Sequence, residues 1–152
     1  MPMKSTRSKS SRSEVRVRVQ DASRSRRTPP ATRFRKWVRA AAAGRTEVTV
    51  RLVGATEGRG LNLAYRGKDY ATNVLTFAYE PGFGDIVLCP AVIAREALEQ
   101  GKPLEAHYAH LIVHAVLHLR GYDHAQAADA ARMERAEIRI LKGLGHSNPY
   151  LA

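Results

Sequence analysis

The order of local patterns along the chain predicts an α+β fold, a small mixed β-sheet covered by helices. Alternating, β-branched runs come early and helical periodicity comes late, and a helical pattern separates the first two strands. A length of 152 residues with 44% hydrophobic content suits one domain with a genuine core.

Taken in order, residues 1–13 are rich in Ser, Lys and Arg and offer nothing to bury, so a disordered basic extension is expected there, with residues 14–152 as a single domain. Val15, Val17 and Val19 alternate with Arg16, Arg18 and Gln20, a strand with one wet face. After the turn-prone stretch from Ser25 to Pro30, Phe34, Trp37, Val38 and Ala41 recur at helical spacing among Arg33, Arg35, Lys36 and Arg39. This predicts a basic amphipathic helix ending at Gly44. Thr46 to Val53 is a second strand, and a short helix is expected from Ala55 to Tyr65 despite Gly58 and Gly60. The runs Asn73 to Tyr79 and Asp85 to Cys89, joined by Pro81-Gly82-Phe83-Gly84, predict a hairpin. Helices follow from Pro90 to Gly101, from Pro103 at the first helical position to Arg120, and from Ala125 to Lys142, the last with Met133, Ala136, Ile140 and Leu144 toward the core.

One cysteine, Cys89, excludes an intrachain disulfide and sits in an apolar strand, where an inert buried thiol is expected. No apolar run approaches the roughly 18 residues a membrane span requires, and no apolar core follows the basic start, so neither a membrane span nor a secretory leader is expected; with the single cysteine, a reducing cytoplasm is the compatible compartment. The net charge of +11 is carried by the first third: residues 1–45 hold fourteen Lys and Arg against Glu14 and Asp21. That asymmetry points to a polyanionic partner, either nucleic acid or an anionic membrane surface, with a solubilising tail as the plainer explanation.

The chemistry concentrates in His114-Ala115-Val116-Leu117-His118-Leu119-Arg120-Gly121-Tyr122-Asp123-His124. On a helix His114 and His118 share a face, and Gly121 just past the last turn can take the left-handed conformation that brings His124 back to the same point. Three neutral nitrogens with an open position make the coordination set of a catalytic zinc, one per chain, at the end of a central helix. Five of the six histidines fall between residues 107 and 124, a clustering that packing alone does not explain. His110 is the competing ligand, but Cα atoms eight residues apart on a helix are about 12 Å apart, too far for His110 and His118 to share one ion. The spacing matches the zinc-peptidase pattern H-E-x-x-H-x-x-G-x-x-H except that Ala115 replaces the glutamate, so the general base of that chemistry is absent. Asp123, next to His124, either holds a ligand's second nitrogen, accepts a proton or caps the last helix.

Together with Leu61-Asn62-Leu63-Ala64-Tyr65-Arg66-Gly67-Lys68-Asp69, Thr72-Asn73-Val74-Leu75-Thr76-Phe77, Gly84-Asp85-Ile86-Val87 and Glu99 to His107, this segment resembles the bacterial YbeY family over roughly residues 15 to 151. The resemblance implies a zinc-dependent endoribonuclease specific for single-stranded RNA, acting in ribosomal RNA maturation at the 3′ end of the small-subunit rRNA and in ribosome quality control. It implies His114, His118 and His124 as metal ligands, Arg66 as the arginine of the ribonuclease activity, and single-stranded or ribosomal RNA and the small subunit as partners. The Ser/Arg-rich extension is not part of the family pattern. Taken alone, Arg66 is better explained by a surface salt bridge than by a phosphate contact, and only the resemblance reverses that preference. Two other functions remain open on the residues: a metal hydrolase of peptides or small molecules, and a ribosome-assembly factor whose metal is structural.

Overall fold

A computed structural model describes residues 14–151; the basic extension expected over residues 1–13 lies outside that range. The elements are β1 (Val15–Asp21), α1 (Ala31–Ala41), β2 (Thr46–Leu52), α2 (Ala55–Arg66), β3 (Val74–Glu80), β4 (Phe83–Leu88), α3 (Pro90–Gln100), α4 (Leu104–Leu119) and α5 (Ala127–Gly143). The sheet order is β1-β2-β4-β3, with β1 parallel to β2, β2 parallel to β4, and β3 antiparallel to β4. The expected α+β class and mixed sheet are therefore correct.

Period-2 alternation sorts the sheet into two faces. On one, Val15, Val17 and Val19 of β1, Val48, Val50 and Leu52 of β2, and Ile86 and Leu88 of β4 pack against α1, α4 and α5 in the main core. On the other, Leu75 and Val87 join Val53, Cys89 and Val92 in a smaller core against which Leu61 of α2 packs. The edge position of β1 leaves its valines half-buried, and the exposed Arg16 and Arg18 discourage pairing with another strand. In the main core Phe34 meets Trp37 and Tyr108 edge to face, with ring centroids 5.5 and 5.9 Å apart.

Helix α4 is buried on most of its circumference, from Tyr108 to Leu119, and three contacts fix its C-terminal end. The amide of Gly82, in the β3–β4 turn, donates to the Leu119 carbonyl at 2.8 Å, and Arg120 Nη1 donates to the Ala41 carbonyl of α1 at 2.9 Å. Gly84 provides the third: a Cβ there would overlap the Phe77 carbonyl oxygen and stand 2.6 Å from Leu119 Cδ2. Only glycine lets the helix end sit this close to the β3–β4 hairpin.

The boundaries depart from expectation where local hydrogen bonding decides them. α1 ends at Ala41 and not at Gly44, because Ala42 is already extended; Gly44, at φ 72°, makes the turn into β2. Pro103 precedes α4 as its N-cap, its carbonyl accepting from the His107 amide at 3.1 Å. α5 starts at Ala127 because the amides of His124 and Ala125 are engaged by Asp123.

Candidate metal centre

The chain reverses at the end of α4 as the glycine predicts. Gly121 adopts φ 100°, its amide donates to the His118 carbonyl at 3.0 Å, and the Tyr122 amide donates to the Leu117 carbonyl at 3.0 Å, closing the helix in a Schellman-like turn. Asp123 Oδ1 then accepts from the amides of His124, at 2.7 Å, and Ala125, at 3.2 Å. Asp123 thus shapes the loop that carries His124 and does not cap the last helix.

Three imidazoles converge as a result. Ring centroids lie 5.1 Å apart for His114 and His118, 5.0 Å for His118 and His124, and 5.7 Å for His114 and His124. One ring nitrogen from each lies within 4.8 Å of the other two. Nitrogens sharing a zinc ion at about 2.1 Å can be at most about 4.2 Å apart, so a small side-chain adjustment brings the set into coordination. Its electrostatics also fit a cation. Burial first, then the adjacent rings of His114 and His124, lower the pKa of His118, favouring the neutral imidazole that a metal requires.

Behind the triad lies a residue that the sequence reading missed. Glu137 of α5 has no exposed surface and accepts from His114 Nδ1, from His110 Nε2 at 3.1 Å and from the Tyr150 hydroxyl. Burial by itself would raise its pKa; the hydrogen bonds from His110, His114 and Tyr150 outweigh that and bring it down to about 2. With Nδ1 of His114 donating to this carboxylate, Nε2 remains for an ion, the arrangement common behind metal-ligating histidines. A signal was present: Glu137 falls within the helical stripe of Met133, Ala136 and Leu141, a charge where periodicity calls for an apolar residue. His110 is thus drawn into this bond network and stands outside the triad. His107 is farther off, buried, with Nε2 2.9 Å from Glu96 Oε1, which also accepts from Asn73 Nδ2 at 2.9 Å.

Arg66 ends α2, where Gly67 at φ 69° turns the chain. It is exposed, and among the described residues it has no carboxylate within ion-pair distance; the nearby Asp69 is taken by Arg59 Nε at 2.7 Å. The same cleft, about 540 Å³, is lined by Tyr65 and Arg66, by β3 from Val74 to Ala78, and by His114, His118 and His124. Among the described residues no carboxylate lines it. The exposed Tyr65 packs edge to face on Phe77, centroids 5.1 Å apart. A larger hollow of about 680 Å³, among Ser23, Arg27, Arg95, Lys102 and Tyr108, holds none of the predicted site residues; the chemistry-bearing groups, and not cavity size, single out the cleft beside the triad.

A mixed sheet with three histidines converging at the end of a buried helix, in a cleft they share with an arginine, defines an α+β protein with a candidate three-histidine metal site. A family profile described as Endoribonuclease YbeY matches residues 16–145. The chain is 59% identical over 127 residues to Endoribonuclease YbeY of Aromatoleum aromaticum, covering 82% of each chain, and 53% identical over 142 residues to that of Thiobacillus denitrificans, covering 90% of this chain and 97% of the relative. It is 57% identical to the Azoarcus sp. protein of the same name, covering 80% of this chain and 53% of that one. The solution structure of TM1509 from Thermotoga maritima superposes with a TM-score of 0.56 at 22% identity, covering 90% of this chain and 99% of that one, a likeness of fold. The chain belongs to the Endoribonuclease YbeY family.

Proposed function

We propose that this chain is a zinc-dependent endoribonuclease that cuts single-stranded RNA, with His114, His118 and His124 holding the metal and Arg66 contacting the scissile phosphate. The observation that carries the reading is the cleft itself: among the described residues, three imidazoles and a guanidinium with no carboxylate partner face one space that no acidic side chain lines. Such a lining suits a polyanion. Cleavage of a phosphodiester builds negative charge on the nonbridging oxygens, and a fixed guanidinium donating two hydrogen bonds stabilises that charge more than it stabilises the ground state. A bound zinc ion supplies Lewis acidity toward a phosphoryl oxygen.

The remaining residues orient. Glu137 holds the ring of His114, the Asp123 turn presents His124, and the exposed ring of Tyr65 offers a face on which an unpaired base can stack, an interaction a duplex denies. The peptidase reading finds no support: Ala115 is buried, and Glu137 has no exposed surface and is turned to three donors within the protein, so it is not placed to act as a general base. The name Endoribonuclease YbeY borne by the relatives supports an RNA substrate. The family resemblance extends the proposal to small-subunit rRNA 3′-end maturation and ribosome quality control, with the ribosome as partner.

The test is cleavage of one labelled RNA sequence presented as a single strand and as a duplex, by zinc-loaded and by chelated protein. Cutting of the single strand alone, lost on chelation, is expected. Equal cutting of both forms, or cutting that survives complete metal removal, would overturn the proposal.

A further inference from the structure

An ionised carboxylate removed from water costs several kcal/mol unless donors surround it. Glu137 reaches this condition through a particular combination of elements. Two of its donors, His110 and His114, stand one turn apart on α4, and the third, the Tyr150 hydroxyl, comes from the segment after α5. That segment is folded back deliberately. Gly145 takes φ 89°, the His146 amide donates to the Leu141 carbonyl at 2.8 Å, and the Tyr150 amide donates to Asn148 Oδ1 at 2.8 Å, a turn that presents the tyrosine to α4. The Tyr150 ring meets His110 edge to face, centroids 5.4 Å apart.

We propose that the C-terminal segment from His146 to Leu151 is a clasp on the metal centre, in which Tyr150, together with His110, holds the Glu137 carboxylate in the position that fixes His114. The inference rests on the reading of His114, His118 and His124 as the metal set. An imidazole can present either nitrogen, and which one carries the proton is decided by the partner of the other. Glu137 Oε2, accepting from Nδ1, keeps the proton there and the Nε2 lone pair available. Oε1 is held in turn by His110 and Tyr150, so a residue that never touches the ion governs the aim of one that does. Tyr150 and Glu137 are accordingly positioning residues. The clasp also makes the segment after α5 part of the site: metal affinity depends on residues 146–151, which among the described residues join no strand or helix.

The experiment competes the zinc-loaded full-length chain against a chromophoric chelator, comparing wild type with Tyr150→Phe and Glu137→Gln. Tyr150→Phe keeps the ring and removes one hydrogen bond; Glu137→Gln keeps the shape and removes the charge. Both should weaken zinc binding by about 10- to 100-fold, the usual effect of losing a partner behind a ligand. After the zinc is removed, the ¹⁵N resonances of the His114 ring report the tautomer that the protein itself imposes, which should be fixed in wild type and mixed in both variants. Wild-type affinity and an unchanged His114 tautomer in Tyr150→Phe, even with a lower melting temperature, would overturn the clasp and leave the tail as packing. Wild type that holds no zinc would overturn the three-histidine reading and the clasp with it, whereas a zinc-binding wild type with indifferent variants would overturn the clasp alone.

Discussion

Arg66 shows most clearly what one side chain is asked to do. It is exposed and has no acidic partner among the described residues, so its removal relieves no ion pair and opens no cavity. Arg66→Ala should therefore leave the melting temperature and zinc content nearly unchanged while slowing RNA cleavage by about 10²-fold or more, the loss typical of one transition-state charge donor. Measuring all three quantities on one preparation separates the roles, because a variant that melts well below wild type would mark Arg66 as structural. The residue was visible in the sequence through its resemblance-bearing neighbours, from Leu61 to Asp69, but its freedom from a salt bridge was not. Asp69 lies three positions away and would have satisfied that reading; the fold gives it to Arg59.

At the scale of elements, the end of α4 is set by the β3–β4 hairpin, and the close approach at Gly84 is the most sensitive point. Gly84→Ala would drive a methyl into the Phe77 carbonyl and Leu119 and push the helix end outward. Overpacking of this kind costs about 1–3 kcal/mol, and each kcal/mol lowers the melting temperature by about 2–4 °C in a chain of this size. The expected outcome in calorimetry is a fall of several degrees with weaker zinc retention, since Leu119 directly follows His118; an unchanged melting curve would show that the hairpin does not set the helix end. Glycine at 84 is readable in the sequence only as a turn residue. Its steric role depends on the packing of α4 against the sheet, and that contact is formed by residues far apart in the chain. The strands and helices themselves were legible because valine alternation and the Phe34, Trp37, Val38 stripe repeat locally. The parallel pairing of β2 with β4 was not, because no local pattern encodes which strand becomes a neighbour. Glu137 escaped for a related reason: a lone carboxylate in a helical stripe acquires its meaning only when His110, His114 and Tyr150 arrive from other elements.

For the whole molecule, the net charge of +11 is borne by the first third of the chain, and phosphates are the same at every nucleotide, so the basic arm is expected to add affinity without sequence preference. Deleting residues 1–13 removes Lys4, Arg7, Lys9 and Arg12 and should make the dependence of log K on log[salt] for single-stranded RNA shallower, by up to about 0.7 per lost phosphate contact, with turnover at saturating RNA nearly unchanged. Salt titrations of both proteins decide it: identical slopes would leave the arm as a solubilising tail. The central claim, however, is that one ion organises the site, and elemental analysis of the purified chain and its histidine variants addresses that most directly. About one zinc per wild-type chain is predicted, with metal lost in His114→Ala, His118→Ala and His124→Ala and retained in His107→Ala, whose ring bonds Glu96 away from the triad. Full metal in His124→Ala, or none in wild type, would contradict the account.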